Sequence, residues 1–148
     1  MTRRPDLKTI SIILVVILAM LLVSIPVLRY RMPFSWDVWY HIRMGEAFTH
    51  GFVWWDWSSF GPTGRPNLYP PAFHILLALI SKLGGVSIQN VTRFLPMLLY
   101  PITAFLLYWF TKLLFDSKTG ILSAMMYILI PVAVDRGVIS SPQALAII

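Results

Sequence analysis

Residues 9–28 form an uninterrupted stretch without a single charged side chain. A helix of this length rises about 30 Å at 1.5 Å per residue, which matches the hydrocarbon thickness of a bilayer. The stretch follows the basic residues Arg3, Arg4 and Lys8 and ends without an Ala-x-Ala-like cleavage site. We therefore predict an uncleaved first membrane span whose N-terminus lies in the cytoplasm.

Two further apolar runs cover residues 94–111 and 119–134, and a fourth begins near residue 144. Their prolines are compatible with membrane helices, since neighbouring helices satisfy the freed backbone groups. The basic turn at residues 112–118 is expected in the cytoplasm. The pattern predicts an all-α, polytopic bundle of transmembrane helices, of which this chain would be the N-terminal part.

Composition supports a membrane environment. The chain is 57% hydrophobic and 12% charged, with a mean hydropathy of +0.73, whereas soluble domains are about 25% charged. The basic residues behind the net charge of +6 mostly flank the apolar runs, so anionic lipid head groups are better partners for them than nucleic acid. Without cysteine, any metal site must use carboxylate or imidazole ligands.

The connection at residues 29–90 is unusually long for a membrane protein loop. Its apolar helix at residues 71–83 would reach only about 20 Å, so we expect it to be interfacial or re-entrant and the whole loop to lie on the external face. Residues 35–48 are predicted to form a helix with Ser35 as N-cap and with Asp37 and His41 on one face. Residues 52–57 are aromatic enough for the membrane interface.

Three segments of this loop read DVWYHIRMGE at residues 37–46, WWDW at 54–57 and GRPNLYPP at 64–71. Together they resemble the first external loop of oligosaccharyltransferase catalytic subunits, especially archaeal ones. The resemblance implies a membrane glycosyltransferase of the GT-C architecture. It implies transfer of a glycan from a polyprenyl (dolichyl) phosphate-linked donor to protein, as in asparagine-linked glycosylation, and a plasma-membrane location if the protein is archaeal.

The resemblance also implies site residues. Asp37 matches the first-loop aspartate that serves catalysis and binds a divalent metal, Mn²⁺ or Mg²⁺. The second-loop pattern of the family, Arg-Ser-x-x-Gly-x-x-Asp-x-Glu, begins at Arg136, but Gln143 and Leu145 stand in place of its acidic pair. Either Asp135 substitutes as a ligand, or later residues do, or this is a divergent relative with another donor or acceptor.

Each candidate also has a plainer structural interpretation. Asp37 could cap or solvate its helix, and His41 could form a fixing hydrogen bond instead of binding a substrate or metal. Arg43 could contact the donor phosphate or pair within its helix. Arg136 could hold that phosphate bidentately or anchor a helix end at the head groups.

Two other polar residues of the loop are expected to be structural. Asp56 stands among tryptophans, where it could bind a sugar but would more ordinarily accept hydrogen bonds from indole N–H groups. His74 lies on the short apolar helix and is expected to be a packing residue.

Two other functions remain open at this stage. One is a mannosyl- or arabinosyltransferase of the same architecture that uses a polyprenyl-monophosphate sugar. The other is a non-enzymatic transporter or assembly subunit. Transporters usually carry polar residues inside their spans, whereas here the spans are nearly free of charge and the polar residues lie in loops.

Overall fold

The computed structural model describes residues 6–31, 35–57, 61–139 and 142. Most of these residues are helical, as the sequence predicts. The elements are α1 (Leu7–Arg29), α2 (Trp36–His50), β1 (Trp55–Asp56), β2 (Arg65–Pro66), α3 (Pro71–Gly84), α4 (Ile88–Phe94), α5 (Pro96–Leu114), α6 (Ser117–Leu129) and α7 (Pro131–Val138).

Two helical stretches are long and apolar enough to cross a membrane, namely α1 and the continuous pair α4–α5, Ile88–Leu114. They contain the predicted ranges 9–28 and 94–111. The predicted third range, 119–134, is instead divided between α6 and α7, whose axes differ by 70°. Pro131 has no N–H to continue the helix, and Ile130 before it is extended with ψ 118°. If the bent pair counts as one span, the described chain has three.

Helices α1, α5 and α6 pack around one shared cluster. Ala19, Ala104 and Ala124 are fully buried where these helices meet, because small side chains let helix backbones approach closely. The other faces of α1 are apolar and exposed, with Leu14 59% and Ile25 65% accessible. Such faces are suited to lipid or to further helices.

The loop helices α2 and α3 pack with α4, the start of the second candidate span, around a second cluster, which includes Val38 of α2, Leu77 of α3 and Ile88 of α4. Gly45 permits this packing, since a Cβ atom there would lie 3.1 Å from Cγ2 of Ile88. Ile139, just after α7, packs against the same cluster. The first loop is therefore folded against the bundle, and both α2 and the end of α7 reach this cluster.

The aromatic part of the loop forms a two-stranded antiparallel hairpin that pairs Trp55 with Pro66 and Asp56 with Arg65. Gly64 adopts a left-handed φ of 62°, and a Cβ atom there would lie 2.7 Å from the carbonyl oxygen of Asp56. Glycine is therefore required at this turn by both conformation and space.

Candidate active site

Helix α2 presents the first-loop candidates from its N-terminal half. Asp37 lies in the first turn and is exposed, whereas His41, one turn later, is only 2% exposed. Ser35 occupies the N-cap position, as predicted, with an extended backbone, although its side chain accepts no hydrogen bond from the helix. A carboxylate in the first turn is favoured by the positive end of the helix dipole.

His41 is joined to His74 of α3, 33 residues later in the chain. Nδ1 of His41 lies 3.0 Å from Nε2 of His74, and both side chains are buried. The His41 and Tyr69 rings are perpendicular, with centroids 5.0 Å apart, and the His74 ring stacks on Phe48 with centroids 5.6 Å apart. The histidines thus form a polar pair inside an aromatic pocket, and His74 is more than the packing residue that we expected.

Burial keeps both imidazoles neutral. It lowers the pKa of His41 to about 4, against a smaller opposing effect of the Asp37 charge. Burial also lowers the pKa of His74 to about 4, and the neighbouring His41 lowers this pKa further. A neutral imidazole carries one N–H and one bare nitrogen. The contact between the rings is therefore a single N–H···N hydrogen bond at neutral pH.

A second buried polar contact ties the aromatic hairpin to α2. Tyr40 forms a side-chain hydrogen bond with Asp56, and its pKa is raised by burial first and by the charge of Asp56 second. Asp56 is 2% exposed and faces Arg65 across the hairpin. The indole of Trp55 donates instead to the carbonyl oxygen of Thr63, at 3.0 Å. Asp56 was expected to hydrogen-bond to an indole N–H group, and its partner here is the side chain of Tyr40.

The remaining candidates are exposed. Arg43 lies on α2, and Asp135 and Arg136 lie on α7. Asp135 borders an open groove of about 500 Å³ whose other walls are apolar residues of α1, α6 and α7, among them Leu22 and Pro26. The structure therefore places Asp135 beside an apolar groove, and its neighbour Arg136 is exposed on the same helix.

The described part of the chain contains no group of three or more histidine, aspartate or glutamate side chains that could hold a metal ion. Asp37 can supply one hard oxygen ligand, and Asp135 is a second carboxylate on another helix. Gln143 and Leu145, which replace the acidic pair of the family pattern, lie outside the described residues. The residues described here do not complete a metal site by themselves.

A family model described as "Oligosaccharyl transferase STT3, N-terminal" matches residues 10–141. The chain belongs to this family. The match begins in α1 and continues past α7, so it contains Asp37, both buried histidines and Arg136. A search of curated proteins and a search of solved structures returned no match. At the level of the family, membership supports an integral membrane glycosyltransferase of the oligosaccharyltransferase type.

The sequence did not reveal the pairs His41–His74 and Tyr40–Asp56. Each pair joins residues from different elements, whereas helical periodicity relates only residues within one element. The one available signal was that a histidine on the apolar helix α3 needs a polar partner when it is buried.

Proposed function

We propose that this chain contributes the first-loop half of an active site that transfers a glycan from a polyprenyl (dolichyl) phosphate-linked donor to an asparagine of a protein acceptor. The observation that carries the proposal is the family match over residues 10–141. It covers an exposed carboxylate, Asp37, at the start of a helix that is held firmly against the bundle.

Asp37 is the proposed catalytic carboxylate. Its helix is fixed on one side by the cluster around Val38 and Leu77 and on the other by the Tyr40–Asp56 contact. A fixed carboxylate can orient an acceptor amide or bind a cation without reorganising during the reaction. Its exposure lets it reach molecules that approach from the external face.

Arg136 and Arg43 are the proposed phosphate contacts. Both are exposed, and a guanidinium can hold a phosphate through two parallel hydrogen bonds. His41, which the sequence offered as a substrate-binding residue, is buried and bonded to His74. Because His41 is buried, we propose that it positions the Asp37 carboxylate and does not contact a substrate directly.

A divalent cation, Mn²⁺ or Mg²⁺, bound at Asp37 would offset negative charge on the departing lipid phosphate. Asp135 is the second proposed ligand. Further ligands would have to come from residues that the structure does not describe, since the described ones form no group of three.

The test is glycan transfer from a radiolabelled polyprenyl-diphosphate donor to an asparagine peptide, measured with the full-length protein. We expect Asp37→Ala and Asp37→Asn to lower the rate by at least about 100-fold, as for the removal of a group that stabilises the transition state. Glu46→Gln is the matched control, because Glu46 is an exposed carboxylate on the same helix. Equal activity of all four proteins would overturn the assignment of Asp37.

The same assay separates the competing functions. Gln143 and Leu145, in place of two acids, favour the monophosphate-donor alternative. Transfer from a polyprenyl-monophosphate sugar but not from the diphosphate donor would establish that alternative. Activity that is unchanged by EDTA and by added Mn²⁺ would remove the metal from the proposal. If the protein transfers a glycan from neither donor, the result would favour the alternative function as a transporter or assembly subunit.

A further inference from the structure

The buried pair His41–His74 is an unusual feature of the first loop. Two polar rings occupy an aromatic pocket, whose lining includes Tyr40, Phe48, Tyr69 and Phe73. Burying polar groups costs free energy unless they are hydrogen-bonded, and apolar residues of similar shape would join α2 to α3 equally well. Nothing in the packing alone explains why both positions carry imidazole.

The surroundings of the pair decide where its protons lie. Nδ1 of His74 is buried and has no hydrogen-bond partner among the described residues. If His41 donated its Nδ1–H to His74, the proton of His74 would lie on this Nδ1 and form an orphaned N–H group. If His74 donates its Nε2–H instead, Nδ1 of His74 is a bare acceptor. Orphaned donors are rarer in proteins than under-satisfied acceptors, so His74 is the donor.

This assignment leaves His41 with its remaining proton on Nε2. Helical side chains lean toward the N-terminus and lie over the preceding turn, and Asp37 occupies that turn on the same face, four residues earlier. The charge of Asp37 reaches the His41 ring. Among the described residues no hydrogen bond joins His41 to Asp37, so the exposed Asp37 side chain, one turn earlier on the helix, would have to turn toward this N–H in order to accept from it.

We propose that His74 is a positioning residue, which donates Nε2–H to Nδ1 of His41, holds His41 as its Nε2–H tautomer and thereby supplies an N–H donor that orients the Asp37 carboxylate. The proposal deepens the proposed function and rests on it. It also excludes Nε2 of His41 as a metal ligand, because a ligating nitrogen must be bare.

The first test needs no activity. The full-length protein, labelled with ¹⁵N at histidine and held in lipid nanodiscs, is studied by long-range ¹H–¹⁵N correlation spectra that distinguish the two imidazole tautomers. We expect His41 to be the Nε2–H tautomer in the wild type. His74→Gln, whose amide can donate to Nδ1, should preserve this tautomer, whereas His74→Phe should abolish the preference. His41 as the Nδ1–H tautomer in the wild type would overturn the proposal.

The second test is the transfer rate. By analogy with groups that orient a metal ligand, we expect His74→Phe to lower kcat about tenfold with KM for the donor unchanged, and His74→Gln to restore most of it. Leu79→Met, a change on the exposed face of α3, should leave kcat unchanged. A purely structural role would not distinguish Gln from Phe in this way, and equal rates for the two His74 variants would overturn the proposal.

The two tests distinguish a failure of the positioning role of His74 from a failure of the proposed function. A wild-type protein without transfer would overturn the proposed function, and the spectra would still decide the direction of the His74–His41 hydrogen bond. If His41 has the predicted tautomer but His74→Phe leaves kcat unaffected, the positioning role of His74 is overturned. The catalytic role of Asp37 would then still be decided by the Asp37 variants.

Discussion

Arg93 donates from Nε and Nη2 to the carbonyl oxygen of Val27, at 3.2 and 3.1 Å. The two residues are 66 positions apart, and Val27 lies in the last turn of α1, where backbone carbonyls have no helical partner. The Arg93 side chain of α4 therefore supplies hydrogen-bond donors to a carbonyl group at the C-terminal end of α1. The same contact joins the two ends of the long first loop.

The first prediction concerns this contact. Hydrogen bonds that involve a charged group contribute about 2 kcal/mol, so Arg93→Ala should lower the free energy of unfolding by roughly that amount and lower Tm in detergent. Arg93→Lys should recover part of the loss, because a single ammonium can reach one carbonyl. Lys82→Ala removes an exposed cation of α3 and serves as the control. Equal Tm values for Arg93→Ala and this control would contradict the prediction.

The second prediction concerns the contact of α7 with α5. Gly137 lies so close to the ring of Tyr100 that a Cβ atom would collide with it. Overpacking of this kind costs about 1–3 kcal/mol, so Gly137→Ala should be destabilising and should displace the neighbouring Arg136. Gly84→Ala is the control, because a Cβ atom there meets only an ordinary contact at 3.6 Å. A fully stable Gly137→Ala protein would show that α7 does not pack on Tyr100.

The double variant Gly137→Ala/Tyr100→Leu tests the same contact by rescue. Leucine removes the ring atoms that the new methyl group would strike, so part of the lost stability should return. The measurement is the Tm of the four proteins of this cycle, and strictly additive changes would show that the two residues do not interact.

Much of this architecture could be predicted from local sequence properties. The absence of charge over residues 9–28 requires a long apolar helix, and the structure has one at Leu7–Arg29. The bend at Ile130 was not predicted, because membrane helices tolerate proline and the sequence does not say whether Pro131 kinks a helix or ends it. The pairing of His41 with His74 depends on how α3 packs against α2. Helical periodicity in the sequence cannot predict this, because it relates only residues within one helix.

The third prediction tests the orientation of the chain in the membrane. The absence of cysteine from these 148 residues gives a clean background for labelling. Glu46→Cys, on exposed α2, should react with a membrane-impermeant maleimide in intact cells. Thr119→Cys, exposed at the start of α6, should react only after permeabilisation, because the basic turn at residues 112–118 is expected in the cytoplasm. The opposite pattern would invert the topology.

The fourth prediction concerns the aromatic hairpin. Trp54 and Trp57 are 78% and 68% exposed at its edge, and such indoles favour the membrane interface. In a variant that keeps Trp54 and replaces the other tryptophans by phenylalanine, lipids brominated near the head group should quench fluorescence more strongly than lipids brominated deeper in the chain. Quenching by aqueous iodide alone would place the hairpin in water and contradict the prediction.

The fifth prediction follows from the two buried imidazoles, whose pKa values fall to about 4 from an ordinary 6.5. Between these values the unfolded chain binds protons that the folded loop does not, so stability rises with pH there. The contribution is complete above about pH 6.5 and is lost as the pH falls toward 4. The double variant His41→Leu/His74→Leu should therefore lose less Tm between pH 7 and pH 4.5 than the wild type, and parallel losses would show that the pair does not titrate on unfolding.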